Sequence, residues 1–585
     1  MSAGVISTNP ARCRDCYRCV RHCPVKAVRV TDGQAQVVPE FCLLCATCVR
    51  ACPQAAKVVR EDLPAVRAAM AAGRRVVATV APSAPAHFDM TVFAQMERTL
   101  ARLGFAAAGE TAVGAEMVGQ AHGEWVNETS EHWPVIASSC PVVVNLVEMY
   151  YPELIPHLAP IVSPMVAHGR YLRRQYGEDS FIVFIGPCIA KKGEMDDPMV
   201  AGVIDAALTY TELDAWMAEA GIDLEPAPAE YTSARPAFAA SEHMAPAGDG
   251  YARLFPVEGG LVGTARMDTD ILSSHVVTGT GITACQNVLE GVRSGLLEAC
   301  LVELMACEGG CINGPALADE RSVAVRRQRI MAYAAHRPLQ PLPARDTWPD
   351  LGRGYRDRSV EIPTFAEEQI QDMLHRVDKY TPDDELNCGA CGYDSCREKA
   401  VATLRGMAEA TMCIPYMRSR AESLTNVVMD VAPNPIIIVD RNLKVQDLSP
   451  SAGRVFGVNR AAVRGRPLRS IIPVVDDFLA VRDTGEPIYN KLRHVRDGLT
   501  IEQTIVAVGG ENLLVAILRD VTEQEQKREE LDRLRAETLS RTQEVINKQM
   551  RVAHEIASLL GETTAETKVL LTHLAKLVEE SKGGV

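Results

Sequence analysis

The chain lacks any apolar run near the roughly 18–20 residues that crossing a bilayer requires; stretches such as Phe181–Ile185 are core-strand length. Its first residues, MSAGVISTNPARCRDC, contain no apolar h-region, so no secretory signal is expected and the reading is a cytoplasmic protein. An excess of basic charge is missing too. The net charge is −14, so nothing neutralises phosphates in bulk and nucleic acid is a poor partner. Hydrophobic residues make up 47% and charged residues 23%, which excludes wholesale disorder and collagen-like structure. At 585 residues the length suggests about four domains.

What the chain does have is cysteine, 18 residues of it. In a reducing compartment that number argues for metal or redox chemistry over disulfides. The spacings sort them into Cys13, Cys16, Cys19 and Cys23; Cys42, Cys45, Cys48 and Cys52; Cys140, Cys188, Cys307 and Cys311; and Cys388, Cys391, Cys396 and Cys413. Cys285 and Cys300 remain, flanking a predicted helix, and read as core thiols.

CRDCYRCVRHCP and CLLCATCVRACP are one motif written twice, C-x2-C-x2-C-x3-C-P. Three closely spaced thiolates wrap one iron–sulfur cube, and the Cys before Pro serves the other. Cys13, Cys16, Cys19 and Cys52 should hold one [4Fe–4S] cluster, and Cys42, Cys45, Cys48 and Cys23 the second. Zinc more often takes paired C-x2-C units. The region resembles a bacterial two-cluster ferredoxin, with small strands predicted at Ala27–Thr31 and Gln36–Pro39. Such a module relays electrons, which implies a redox site further along.

From about residue 64 to 375, apolar strands such as Val76–Val80, Val135–Ala137 and Phe181–Ile185 alternate with helical segments, an α/β pattern. Strand ends carry cysteine: IASSCPVVVN gives Cys140, FIGPCIAKK gives Cys188, and ELMACEGGCINGP gives Cys307 and Cys311. One such thiol alone would be a buried apolar residue. Three such turns together point elsewhere, and the two glycines of CEGGC let backbone approach a bulky ligand.

These segments resemble the three signatures of the catalytic domain of [FeFe]-hydrogenases. The resemblance implies a cubane held by Cys140, Cys188, Cys307 and Cys311, with Cys311 bridging to a two-iron unit that bears CO and cyanide. It places Ala81, Pro82 and Ser83 of VAPSAP against those ligands. Lys191 would hydrogen-bond a cyanide, a natural partner for a buried cation. Met305 would pack on the bridging CO, and Ser163 matches a serine of the family's proton path. CINGP departs from the family's glycine run, which leaves the close backbone approach at Pro315 open.

Further departures bear on activity. Active members carry a proton-relaying Cys directly before the first ligand Cys; this chain has Ser139. A serine hydroxyl titrates far above a thiol's value of about 8.5, so it relays protons poorly at neutral pH. The places of two path glutamates hold His122 and Trp125, with Glu116, Glu124 and His122 as substitutes, although His122 is equally well read as a surface histidine. Gly186 stands where the family has methionine, which should reshape the cavity.

Leu224–Ala247 is rich in Pro and Ala and reads as a surface insertion, and Arg337–Pro363 as a linker. NCGACGYDSC followed by Cys413 has the spacing C-x2-C-x4-C-x16-C and resembles a small [4Fe–4S] domain, with zinc the alternative for its C-x2-C unit. Gly389 and Gly392 permit the turn, and Arg397–Thr411 should be the helix that returns the fourth Cys. Residues 425–522 contain no cysteine. NPIIIVDRNLKVQDLSPSAGRVFG reads strand, turn, strand, helix, with Ser449 an N-cap; GRPLRSIIP is a turn plus helix; and NLLVAILRDVTEQEQ is a strand running into a charged helix. That order resembles a PAS domain, and with His494 its only histidine the pocket is expected to hold no haem. Leu531, Leu534, Thr538 and Val545 fit heptad positions weakly. HEIASLLGETTAETK resembles a phosphoacceptor box, but 31 residues after His554 leave no room for a kinase domain.

The fold class is therefore α/β multidomain: a ferredoxin-like α+β module (1–60), a two-lobed α/β hydrogenase-type domain (64–375), a small helical 4Fe-4S domain (376–420), an α+β PAS domain (425–522) and C-terminal helices forming a signalling helix or coiled coil (523–585). Four [4Fe–4S] clusters are expected, one within an H-cluster. The resemblance implies a sensor of hydrogen or redox state with low turnover. A competent hydrogenase and an electron-transfer scaffold are the alternatives. Expected partners are ferredoxin or another redox donor, a kinase or phosphatase effector, and a second copy through the PAS domain and terminal helices.

Overall fold

The computed structural model describes residues 4–227, 251–269, 274–317, 321–335, 344–496, 498–508, 512–560 and 565–580. Most of the Pro/Ala-rich segment expected as an insertion, the start of the expected linker and the middle of the HEIASLLGETTAETK stretch lie outside them. The chain forms two compact units, Met1–Tyr416 and Met417–Val585.

The first unit starts with two small antiparallel pairs: β1 (Ile6–Thr8) with β4 (Lys57–Val59), and β2 (Val28–Thr31) with β3 (Gln34–Val37). Two five-residue helices, α1 (Arg18–His22) and α2 (Thr47–Ala51), occupy equivalent places in the two repeats. The predicted second strand starts two residues earlier than expected and ends at Val37, because Pro39 opens a 3₁₀ turn.

Next come two parallel sheets. One has the order β6 (Ala107–Glu110), β5 (Val76–Val80), β8 (Phe181–Gly186), β9 (Ala206–Thr209). The other has β10 (Val276–Thr280), β11 (Leu301–Met305), β7 (Val135–Ile136). Every residue of β5, β8 and β11 is buried, the pattern of parallel strands covered on both faces. Between the sheets, α3 (Ala112–Glu128) crosses α5 (Pro164–Tyr176) at close range. Gly114 allows it, since a Cβ there would fall 2.4 Å from Pro164 O and 2.8 Å from the His168 amide nitrogen. Another helix of this region, α4 (Pro141–Tyr150), starts directly after Cys140 with Pro at its first position, where no amide hydrogen bond is lost.

The expected linker is not loose where it is described. Val162 donates its N–H to Leu351 O and Arg358 to Glu148 O, while Arg353 pairs with Glu194 and Asp197. Trp348, Leu351 and Tyr355 pack on the core clusters of the hydrogenase-type block. Its Pro and Arg content marked a boundary, but those arginines serve buried carboxylates. The expected long helix after Cys396 is also shorter: α6 spans Cys396–Leu404, and a 3₁₀ turn at Ala410–Met412 delivers Cys413, because Gly406 at φ +70° ends the helix. Helix α7 (Ile414–Val431) follows.

The second unit holds a five-stranded antiparallel sheet in the order β13 (Val445–Leu448), β12 (Ile436–Asp440), β16 (Leu513–Asp520), β15 (Leu499–Val508), β14 (Ile488–Arg496). Strand β12 alternates Ile437 and Val439 inward, and with Phe456, Phe478, Ile501, Ile505 and Leu518 they form one core. The GRPLRSIIP helix is only a 3₁₀ turn at Leu468–Ser470, and a full helix forms at Asp476–Thr484 instead. Helix α8 (Thr522–Leu560) leaves the sheet directly. No described helix is long and apolar enough to cross a membrane.

Candidate functional site

The two ferredoxin-like repeats share an unusual backbone. Asp15, Tyr17 and Lys26 in the first, and Leu44, Ala46 and Ala55 in the second, all have φ between 46° and 61°. Non-glycine residues adopt that region rarely and at a cost. Six of them at matching offsets mean that each loop is bent around something. The amides of Ala27, Leu44 and Ala56 meanwhile donate to the Sγ atoms of Cys23, Cys42 and Cys52 at 3.2–3.4 Å. Cys23, Cys42, Cys45 and Cys48 line one cavity with Val28 and Leu43. Cys19 lies within electrostatic reach of Cys13 and Cys16, and both Cys19 and Cys52 face Lys57.

The larger site sits where the two parallel sheets end. Strand β5 runs into Ala81–Ser83, β7 into Ser138–Cys140, β8 into Pro187–Cys188, and β11 into Cys307. Ligands of parallel α/β sheets bind at such carboxyl ends. A cavity of about 90 Å³ lies there, several times the volume that holds one water. Its wall includes Ala81, Pro82, Ser83, Ser139, Cys140, Cys188, Lys191, Met305 and Cys311. Cys307 is close enough to Cys311, Cys188 and Cys140 to feel their charge.

Burial first, and the neighbouring thiols second, push Cys188 up to about 11 and raise Cys307 and Cys311 well above the ordinary thiol value. Thiolates gathered this way need a cationic group among them. Among the described residues no three His, Cys, Asp or Glu side chains close on a point as a single ion demands. A donor set of thiols alone, drawn from three strand ends, fits an iron–sulfur group.

Several sequence-identified residues have partners of their own. Lys191 Nζ donates to Glu194 Oε2 at 2.6 Å, so its anionic partner is a side chain three residues on. Ser83 Oγ shares a hydrogen bond of 2.8 Å with Tyr210 OH, which also donates to Ala81 O at 3.3 Å. Among the described residues, Ser139 Oγ is buried without a hydrogen-bond partner, and so is Ser163 Oγ. Ser163 does not itself reach the cavity wall, although Pro164 and Met165 do. A Cβ at Gly186 would sit 2.5 Å from the Phe184 ring, so Phe184 occupies the space a side chain there would take. Gly310, at φ +97°, is crowded by Pro256 O at 2.4 Å from its Cβ position. Asn313, in the departing CINGP segment, donates to Glu308 O and accepts from Arg326, and so holds the loop by its side chain.

The substitutes for the proton path divide. His122 is not a surface residue: it is 0% exposed, and burial holds it down at about 4, hence neutral. Its Nδ1 donates to Val118 O at 2.7 Å, which leaves Nε2 to accept the Ser138 N–H at 3.5 Å. Glu116 is buried and accepts from Gln120. Glu124 is on the surface, paired with Arg345, and takes no part in the interior. Sequence reasoning missed Glu303. Strand β11 buries it to 3% exposure, the Leu261 and Val262 amides donate to it at 3.3 Å, and burial raises it to about 7. It lines the cavity. The available signal was an acidic residue inside a wholly apolar strand. Cys285 and Cys300 are buried, donating to Met305 O and His275 O, as core thiols do.

Cys388, Cys391, Cys396 and Cys413 line a third cavity with Lys399 and Tyr393. Gly389 and Gly392 at φ +66° and +96° make its turn.

This geometry defines a class, an iron–sulfur protein with a hydrogenase-like α/β block. Comparison with known proteins gives the particulars. Residues 74–315 match the family described as iron only hydrogenase large subunit, C-terminal domain; residues 5–53 match a 4Fe-4S dicluster domain; and residues 384–415 match a putative Fe-S cluster family. Iron hydrogenase 1 of Clostridium pasteurianum is 28% identical over 285 residues, 41% of this chain and 50% of that protein. The periplasmic [Fe] hydrogenase large subunit of Nitratidesulfovibrio vulgaris is 29% identical over 361 residues, 53% of this chain and 85% of that one. The cytosolic Fe-S cluster assembly factor NAR1 of Kluyveromyces lactis is 23% identical over 294 residues, covering 39% and 61%. The chain thus spans half the length of the Clostridium relative.

Proposed function

We propose that the chain is a sensor built from [FeFe]-hydrogenase parts, which detects hydrogen or redox state at an H-cluster-like centre and signals through a PAS-type domain. One observation carries the reading. Three thiols, Lys191 and Met305 line one cavity with Cys307 beside them, yet the residue before Cys140 is Ser139, whose buried hydroxyl has no partner among the described residues. The bound two-iron group would supply an open metal position for reversible heterolytic cleavage of dihydrogen. Cys140, Cys188, Cys307 and Cys311 would hold the group, and Ala81, Pro82 and Ser83 would form the wall against it.

The chain's own groups set the pace. Ser139 keeps its proton at neutral pH and passes one only by accepting another in the same step, which is slow. Behind it, His122 is neutral and its Nδ1 proton is committed to Val118 O. Slow proton movement suits detection over flux. The other three quartets hold [4Fe–4S] clusters that exchange electrons with ferredoxin or a similar donor. The five-stranded sheet of the second unit has the strand and helix order of a PAS domain, and α8 leads from it toward a kinase or phosphatase effector or a second copy. A cytoplasmic location goes with this reading.

Infrared spectroscopy of anaerobically matured protein tests it. Bands from CO and cyanide on iron are expected, together with hydrogen evolution far below that of active hydrogenases. Turnover equal to theirs would make the chain a working hydrogenase. Absence of the bands would leave a scaffold with ordinary clusters.

A further inference from the structure

The third thiol quartet is packed onto the ferredoxin-like module. A Cβ at Gly392 would fall 3.0 Å from both the Arg21 amide nitrogen and Val20 Cβ. Lys26 Nζ donates to Gly392 O at 2.8 Å, and an Arg21 guanidinium N–H to Ala390 O at 2.9 Å. The Val30 amide donates to Met407 O at 3.0 Å, and the Arg405 guanidinium lies 5.3 Å from the Phe41 ring. Cys19, Val20, Cys23, Tyr393, Ala402, Met407 and Met412 share one apolar core.

Helix α1 lies at the centre of this contact. Cys19 is within it and Cys23 caps its end, and these two thiols belong to different ferredoxin-type quartets. Tyr393 shares that core with both. It is 3% exposed, it lines the third cavity, and its hydroxyl is buried with no hydrogen-bond partner among the described residues. Cys391 and Cys23 both lie within electrostatic reach of the phenol. A buried, unpaired donor is unfavourable unless an acceptor arrives. The acceptor that this place offers is a sulfur of an iron–sulfur centre. On its other side, the Cys23 quartet adjoins the large cavity: Leu43, Leu44 and Cys45 share a core with Cys140 and Cys188.

We propose that the 388–413 centre is an electron port, joined through Tyr393 to the centre that includes Cys23, so that the latter is a junction between the large cavity and the port. This rests on the reading that the quartets hold iron–sulfur centres. The step is a one-electron transfer: the Cys23 centre is oxidised by one electron as the port is reduced by one, with no bond or proton moved. Cys413 directly precedes α7, so the port is the centre nearest in sequence to the second unit.

The full chain, reconstituted with iron and reduced, tests this by electron paramagnetic resonance. The parent should show magnetically coupled signals. Cys391→Ser with Cys396→Ser should lower iron by one cubane and leave the Cys23 signal narrower and slower to relax. Tyr393→Phe should keep the iron and the coupling, but lower the ratio of reduced to oxidised port about threefold at the parent's midpoint, because a hydrogen bond to sulfur eases reduction. Signals unchanged after iron has fallen would overturn the port alone. Iron that does not fall in the double variant would overturn both the port and the occupancy of the quartet. An unshifted ratio in Tyr393→Phe would overturn the bridging role of the phenol.

Discussion

Glu110→Gln should destabilise the first unit by about 3–5 kcal/mol, the usual result of removing one partner of a buried ion pair. Glu110 receives Arg253 in a fork, Nε to Oε1 at 3.0 Å and Nη2 to Oε2 at 2.6 Å, with both side chains only 8% exposed. Tyr333 OH donates to the same Oε1 at 2.6 Å, and the guanidinium lies 4.9 Å from the Tyr333 ring. Glutamine keeps one acceptor but removes the charge that offsets the guanidinium. The damage should reach the cavity, because Phe255, Pro256 and Leu261, just beyond Arg253, form part of its wall. The four tryptophans, Trp125, Trp133, Trp216 and Trp348, all lie in the first unit, so urea unfolding followed by tryptophan fluorescence reports on it alone. Glu110→Gln combined with Arg253→Met should recover at least half of the loss, since it removes the guanidinium that the single variant leaves buried without a counter-charge. A single variant within about 0.5 kcal/mol of the parent, the range of an ordinary surface change, would refute the argument, and so would a double variant no more stable than the single.

Ser139→Cys should raise hydrogen evolution by matured protein about 10²-fold or more, the contribution of a competent general acid–base, and an unchanged rate would mean that protons enter elsewhere. Asp477 is held down at about 2, chiefly by its hydrogen bonds to Arg493, with Lys491 adding to them. A depressed carboxylate contributes stability that is present above its unfolded value near 3.9 and is lost as pH falls toward 2. With Arg493 and Lys491 partly exposed, the contribution is about 1–2 kcal/mol. Asp477→Asn should therefore destabilise the second unit at pH 7 but hardly at pH 2, as hydrogen exchange of β15 peptides at matched intrinsic rates would show. Gly114→Ala should cost about 1–3 kcal/mol, read as a lower urea midpoint, because the atoms it meets at 2.4 and 2.8 Å are backbone of α5 and cannot swing away.

Thiol spacing was legible because cluster ligation needs particular residues at short, fixed offsets. The two repeats around Cys13 and Cys42 and the glycine turn at Cys388 were legible as local backbone, and the structure bends them at matching offsets. The strands that carry Cys140, Cys188 and Cys307 could be read because parallel strands buried on both faces are continuous apolar runs. Partners contributed by distant segments were not legible. Nothing near Lys191 in composition announces that Glu194 is shared with Arg353, 159 residues away. His122 reads as a polar residue on a helix, and only the packing of α3 against α5 and the segment 260–264 makes it 0% exposed. The hairpin β14–β15 was passed over because β14 is mostly exposed and polar, with its register broken twice. The linker was misread because Pro and Arg content does not reveal what the arginines bind.

On the proposed reading, the family's departures fall on one side of the cavity. The thiol loops keep their strands, turns and left-handed glycines, so the means of holding a cubane are intact. Ser139, the neutral His122 behind Ser138, and the Phe184 ring that fills the space at Gly186 all bear instead on what reaches the reactive face. Four thiols brought together from separate strand ends suit a metal group, since thiolates so close repel one another unless a cationic group lies among them. On that reading, retaining the holder while blunting the proton route would leave a centre whose charge state changes when its ligand binds but which turns over slowly. For that change to be useful it must leave the cavity as electrons, and the cores that join Cys188 to Cys45, and Cys23 to Tyr393, give it a continuous protein route.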